Sequence, residues 1–225
     1  MGANATTFVP AYVAGEVLTA ADLSVTNSGI PVFATTVTRD AAFGGTGEKT
    51  LAEGQFAYLE DTNTTQYYDG AAWQSVAPTR QIAIFNETQA SGTGAGSSTS
   101  GSFIKRVLNT TIVNTITGCS IASSVITLPA GTYLVNAMAP FYGAAAQKIK
   151  LRNTTDSTDT IIGMSMNENT QGDTTGMTGY FTITASKNFE VQYRVQIGVA
   201  TYGLGAECSF GVSEVYTTIE IEKVA

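Results

Sequence analysis

The sequence predicts an all-β protein, and three observations carry that prediction. The first is strict alternation. In Phe189-Glu-Val-Gln-Tyr-Arg-Val-Gln-Ile197 the apolar Phe189, Val191, Tyr193, Val195 and Ile197 face one way. Glu190, Gln192, Arg194 and Gln196 face the other, the period of a strand with one buried side. The second is composition: among 225 residues only 13% are charged and 23 are Gly, with Thr and Ser abundant. Such a chain favours strands and turns over helices. The third is turn chemistry. Ile126-Thr-Leu-Pro-Ala-Gly-Thr-Tyr-Leu-Val-Asn136 reads as strand, tight turn, strand, with Pro129 presetting φ and Gly131 supplying freedom. The expected architecture is a C-terminal jelly-roll β-sandwich over residues 79–225, preceded by a small β-hairpin unit at 37–78 and an extended N-terminal arm at 1–36.

Taken in order, the arm is short of core-forming residues. Phe8-Val-Pro-Ala-Tyr-Val13 reads as extended, and Thr19-Ala-Ala-Asp22 fits a capping box for a helix of a turn or two. In the second unit, Gly54-Gln-Phe-Ala-Tyr-Leu59 is a strand. Gln66-Tyr-Tyr-Asp-Gly-Ala-Ala-Trp73 is a hairpin with Asp69-Gly70 as a two-residue turn. That register sets Tyr68 opposite Ala71 and Gln66 opposite Trp73, so Tyr68 and Trp73 lie diagonally on one face. The pair makes either an aromatic patch that stacks on a sugar or the miniature core of the unit.

The third unit opens with the strand Arg80-Gln-Ile-Ala-Ile-Phe85. The Ser/Gly tract at 90–102 has no anchoring side chain and reads as a flexible surface loop. In Lys148-Ile-Lys-Leu-Arg152 two apolar residues share one face and three cations the other; Ile219 and Ile221 repeat the pattern near the end. About eight to ten such strands suit a jelly roll of two sheets.

Several functions are excluded or left without a signal. A net charge of −7 with no Lys/Arg cluster argues against nucleic acid as a partner. The absence of His removes the commonest general base and metal ligand. Gly44-Gly-Thr-Gly-Glu-Lys-Thr50 fails as a phosphate loop, because Glu48 stands where Gly must precede Lys and would repel phosphate. Asp156, Asp159, Glu168 and Asp173 lie in polar loops, with no spacing that marks a Ca²⁺ loop or a glycosidase pair. No catalytic residue, cofactor site or metal site is assigned. No apolar run is long enough to cross a bilayer, and the first residues lack the pattern of a secretory signal, so membrane insertion is not expected and cytoplasmic synthesis is. Cys119 and Cys208 are expected as two buried, unbonded thiols.

Short motifs carry three resemblances. Leu128-Pro-Ala-Gly-Thr-Tyr133, with Arg106-Val-Leu-Asn109 upstream and Tyr193-Arg-Val-Gln196 downstream, resembles the C1q/TNF-like jelly-roll domains of bacteriophage fibres and head appendages. Val13-Ala-Gly-Glu-Val-Leu-Thr-Ala-Ala-Asp-Leu23 is similar to the segment that attaches phage tail and fibre proteins to the particle. Thr38-Arg-Asp-Ala41, Glu60-Asp-Thr-Asn63 and Tyr68-Asp-Gly-Ala-Ala-Trp73 resemble a module repeated in phage structural proteins. The resemblance implies a non-enzymatic virion component, made in the host cytoplasm, that forms a homotrimer. It implies attachment to other virion proteins through Val13, Val17, Leu18 and Leu23. Phe141, Tyr142 and Tyr216 are candidates for the trimer seam, with plain intramolecular core as the alternative. A host surface glycan is a candidate partner, and a receptor-binding module or a capsid decoration protein are the alternative roles. The long Ser/Gly tract and the lack of a collagen-like or coiled-coil stalk depart from the family pattern.

Overall fold

A computed structural model describes residues 14–17, 19, 29–46, 48–76, 80–168 and 172–224. The chain divides into two compact units, Met1–Thr79 and Arg80–Ala225.

In the first unit a four-stranded sheet runs β1 (Val32–Phe33), β2 (Phe56–Leu59), β3 (Thr64–Tyr68), β4 (Trp73–Ser75). Val32 and Phe33 pair in parallel with Tyr58 and Leu59, so the unit begins before residue 37. Between β1 and β2 lies a short helix, α1 (Thr36–Asp40), in a unit expected to be a β-hairpin module. A reciprocal capping box explains it: the Thr35 hydroxyl accepts from Thr38 N–H and the Thr38 hydroxyl from Thr35 N–H. Phe33, Ala42, Ala57 and Leu59 form the core, with Phe43 and Trp73 packed on it.

The β3–β4 hairpin differs from the expected register. Tyr68 pairs directly with Trp73 and Gln66 with Ser75, so the loop is the four residues 69–72. The Asp69 carboxylate decides this. Its Oδ1 accepts from the N–H groups of Ala71 at 2.9 Å and Ala72 at 2.7 Å, closing a wider turn than Asp-Gly alone would make. Those two N–H groups hold the Asp69 carboxyl below the usual range.

The second unit is a jelly-roll sandwich. One sheet has five strands, in the order β14 (Gly172–Ile183), β10 (Gly131–Tyr142), β16 (Glu214–Lys223), β5 (Gln81–Gln89), β7 (Thr110–Asn114). The other has seven: β12 (Thr158–Ile162), β11 (Ala145–Asn153), β15 (Lys187–Val195), β9 (Val125–Leu128), β8 (Ser120–Ala122), with β13 (Met166–Glu168) on β11 and β6 (Ile104–Lys105) on β15. The strand pairs within both sheets are antiparallel. The chain changes sheet between β5 and β6, β6 and β7, β7 and β8, β9 and β10, β10 and β11, β13 and β14, β14 and β15, and β15 and β16, so the inward hydrophobic faces of the two sheets meet across one core. The turn at Pro129 is one of these corners and not a hairpin. Tyr133 fixes it by donating its hydroxyl to the Pro129 carbonyl at 2.7 Å.

The alternation in β15 is realised: Phe189, Val191, Tyr193 and Val195 are buried, as are Ile149, Leu151, Ile219 and Ile221 opposite or beside them. Ile197 is exposed, because β15 stops at Val195. The Ser/Gly tract is no loose loop. Ala95 N–H donates to Gly205, Ser98 N–H to Val199, and Leu204 N–H to Gly96. Ser98 is buried, and its hydroxyl accepts from Val199 N–H. Small residues are what let the two segments approach: a Cβ on Gly203 would lie 2.7 Å from the Ser98 Cβ. The cysteines are unbonded, yet Cys208 is exposed in the loop before β16 and Cys119, just ahead of β8, is only half-buried against the edge of the core.

Candidate functional site

Strand β10 carries the most informative pattern. Its odd residues Tyr133, Val135, Ala137, Ala139 and Phe141 are buried in the sandwich. Its even residues Leu134, Met138 and Tyr142 are also apolar or aromatic, and they point away from the core with relative exposures of 36%, 54% and 40%. Apart from Thr132 and Asn136 the outward side of this strand is apolar too, which suits a strand covered on both faces. The neighbours extend the patch. Tyr180 pairs with Leu134 and is 65% exposed; Met164 is 63% exposed.

Gly176 pairs with Met138 across β10 and β14, and a Cβ there would meet Met164 Cε at 3.5 Å and Met138 Cγ at 3.6 Å. The missing side chain leaves a depression of about 360 Å³ beside Met138, lined also by Ile84, Met177 and Thr218. Asn136, Thr178 and Glu220 give it a polar rim. Next to it Arg80 bridges Glu220 and Glu222, each at 2.9 Å, and the Arg80 hydrogen bond holds the Glu222 carboxyl below its usual range.

Of the residues expected at a seam, Tyr142 lies on this outward face. Phe141 points inward, 1% exposed, with its ring 5.9 Å from that of Tyr193. Tyr216 is buried too, and its hydroxyl donates to the Thr93 carbonyl at 2.7 Å. For these two the intramolecular alternative is the one realised, by the strict period of β10 and by a carbonyl partner inside the fold. Leu134, Met138, Met164 and Tyr180 were not singled out from the sequence. The signal was there in Thr132-Tyr-Leu-Val-Asn-Ala-Met-Ala-Pro-Phe-Tyr142, which does not alternate with polar residues as β15 does.

Beneath this sheet lies a buried ion pair that the sequence did not announce. Arg106 and Glu87 are both 0% exposed. Arg106 Nη2 donates to Glu87 Oε2 at 3.0 Å and to the Leu204 carbonyl at 3.0 Å, and Nε donates to the Thr217 hydroxyl at 2.6 Å. Thr217 in turn donates to Glu87 at 2.9 Å. The guanidinium carbon sits 5.4 Å from the Phe141 ring centroid. Burial pushes the Glu87 carboxyl up, and Arg106 and Thr217 oppose that shift. The group ties β5, β16 and the 204 turn to the segment leading from β6.

The remaining candidates are placed as follows. Tyr68 and Trp73 do meet, with ring centroids 5.7 Å apart. Arg39 covers the Trp73 ring at 4.7 Å and also donates to Gln66, and Phe43 lies 5.9 Å from Trp73. The pair is therefore part of the small unit's packing. Val17 is 87% exposed; Val13, Leu18 and Leu23, with the helix expected after Thr19, lie outside the described residues. Asp156 is paired with Lys187 and held by Asn153, Asp159 with Lys150 and Arg152, and Asp173 accepts from Thr174 N–H. The side chain of Glu168 is outside the described residues. Among the described residues no group of three or more Cys, Asp or Glu is placed to hold a metal ion. In the Gly44 turn, Glu48 accepts from Gly45 N–H at 2.7 Å, so the carboxylate fills the position a phosphate would need.

No family model matches the chain, and no curated protein does. Among solved structures it is similar to murine APRIL. One crystal structure of that protein, at pH 8.0, has 8% identity and a TM-score of 0.43, covering 65% of this chain and 100% of that one. A second, at pH 5.0, has 9% identity with the same TM-score and coverage. The globular domain of zebrafish complement 1qA has 10% identity and a TM-score of 0.40, covering 65% of this chain and 98% of that one.

Proposed function

We propose that the chain is a non-enzymatic structural component of a phage virion, a tail or head fibre or appendage, that trimerises through its jelly roll and attaches by its N-terminal arm. The observation that supports trimerisation is the outward apolar face of β10. Leu134, Met138 and Tyr142 lie along its outward side with Tyr180 beside Leu134, and the depression beside Met138 offers a socket for a side chain from a neighbour. A second copy is the occupant this reading commits to. Cyclic assembly pairs one surface with a different surface of the next copy, so the socket receives a knob from elsewhere on the molecule. The virion setting is supported by the sequence resemblances at 13–23 and 38–73 and at the jelly-roll motifs. A decoration protein, assembling only on its particle, is the alternative for a chain that stays monomeric in solution.

The test is light scattering across a dilution series. The expected mass is three times the 23.5 kDa of one chain. Met138→Glu and Tyr180→Glu are expected to reduce it to a monomer while the β-sheet circular dichroism stays intact. A wild-type chain that is monomeric at every concentration would sink the trimer reading.

A further inference from the structure

The opposite, seven-stranded sheet gathers Lys105, Lys148, Lys150, Arg152 and Arg194 on its solvent face, in a chain of net charge −7. Most of these cations are matched. Asp159 accepts from Lys150 at 2.7 Å and from Arg152 at 2.8 Å, and Lys105 lies 3.6 Å from Glu190. Lys148 and Arg194 differ. They are directly opposite each other in the β11–β15 register, and among the described residues neither has an ion pair or a side-chain hydrogen bond. Like charges facing across a strand pair cost stability. Among the described residues no carboxylate pairs with either cation to offset that cost, so the pair is poised for an anion from outside.

The two cations line a cleft of about 650 Å³, the volume range of ligand pockets. Topology makes its walls. The 100–103 segment lies beyond β15, since Ser100 bridges Val195 and Ile104 pairs with Tyr193; β13 lies beyond β11. Phe103 lines the cleft from one side and Met166 from the other, with Ser100, Ser165 and Gln196 adding hydroxyl and amide groups. Here β11 and β15 each have a neighbour on both sides, so the floor of the cleft offers no open strand edge for an extended peptide to join. A ligand must be read by side chains alone. Two cations beside hydroxyl, amide and aromatic groups suit a hydroxylated ring that carries a negative charge.

We propose that this cleft binds an acidic saccharide, with Arg194 and Lys148 on its carboxylate and Phe103 against a sugar face. The site lies on the sheet opposite the apolar face of β10, the two approaching only where Met164 of that face precedes Ser165 and Met166 of the cleft, and a single copy suffices to form it. A trimer would present three copies and gain avidity.

The test is titration of the full chain, followed by NMR chemical shifts, with three probe oligosaccharides that carry galacturonate, glucuronate or N-acetylneuraminate. Maltotriose serves as the neutral control and a tri-glutamate peptide as the acidic peptide control. Binding of at least one acidic probe is expected, with shifts at residues 100–103, 146–148 and 194–196, and none for maltotriose. Arg194→Gln and Lys148→Gln are each expected to weaken that binding about tenfold or more. Both variants should keep or raise the melting temperature, because each removes a like-charge contact; a structural role for these cations would lower it. No binding of any acidic probe at millimolar concentration, equal binding by both variants, or equal binding of tri-glutamate would each overturn the proposal. Per-site affinity read by NMR is independent of oligomeric state, so this outcome and that of the light-scattering test are separable.

Discussion

Arg106 shows what one residue can decide and why it was hard to see. Glu87 falls on the inward phase of β5, after Ala83 and Phe85, so the alternation alone placed a carboxylate in the core. Its partner is 19 residues away, and no local pattern links the two. A buried pair is costly to assemble and far more costly to halve. Arg106→Met should therefore destabilise the jelly roll by about 3–5 kcal/mol, since it leaves Glu87 buried without a counter-charge. Adding Glu87→Gln should recover most of that loss, and urea denaturation of both singles and the double closes the cycle. Equal, additive losses would mean that the two side chains act independently. Val191 carries the simpler version of the same physics. It is 0% exposed in the middle of β15, so Val191→Asp is expected to abolish folding, as read by loss of the cooperative thermal transition.

At the scale of elements, alternation was legible and turns were not. β15 could be read residue by residue because its solvent face is polar. β10 could be read as a strand, but its second face could not be assigned, because apolar residues on both sides look alike whether sandwich or partner covers them. The turns failed for a chemical reason. Asp69-Gly70 has the residues of a two-residue hairpin, but the Asp69 carboxylate captures two N–H groups and widens the loop. Ser123-Ser124, which carries no such signal, makes the two-residue turn between β8 and β9 with φ of 48° and 61°. The 205–213 loop is organised by another carboxylate. Glu214 accepts from the N–H groups of Ser209, Gly92 and Cys208, which hold its carboxyl below the usual range. A depressed carboxyl contributes stability that is fully present above the unfolded value, about 4.3, and is lost as pH falls through the lower folded value. Glu214→Gln should therefore melt below wild type at pH 7, and the gap should close as pH drops below about 4. A gap that persists unchanged at pH 2 would mean that the side chain acts through packing and not through its charge.

At the scale of the molecule, the sandwich has two solvent faces of opposite character. One is apolar around Met138 and bordered by Glu220 and Glu222; the other carries the cations around Lys148 and Arg194. Two such faces suit the two proposals, one sheet between copies and the other outward. The proposed division of labour bears on the rest of the chain. All the residues of the apolar patch lie between Arg80 and Ala225, in a unit that has its own core. If that patch alone drives assembly, a chain of residues 80–225 should give a mass three times its own by light scattering. It should dissociate over the same dilution range as the full chain, and Met138→Glu should make it monomeric. A fragment that folds but stays monomeric, while the full chain is trimeric, would move the driving contact to the first 79 residues and leave the β10 face for a different partner.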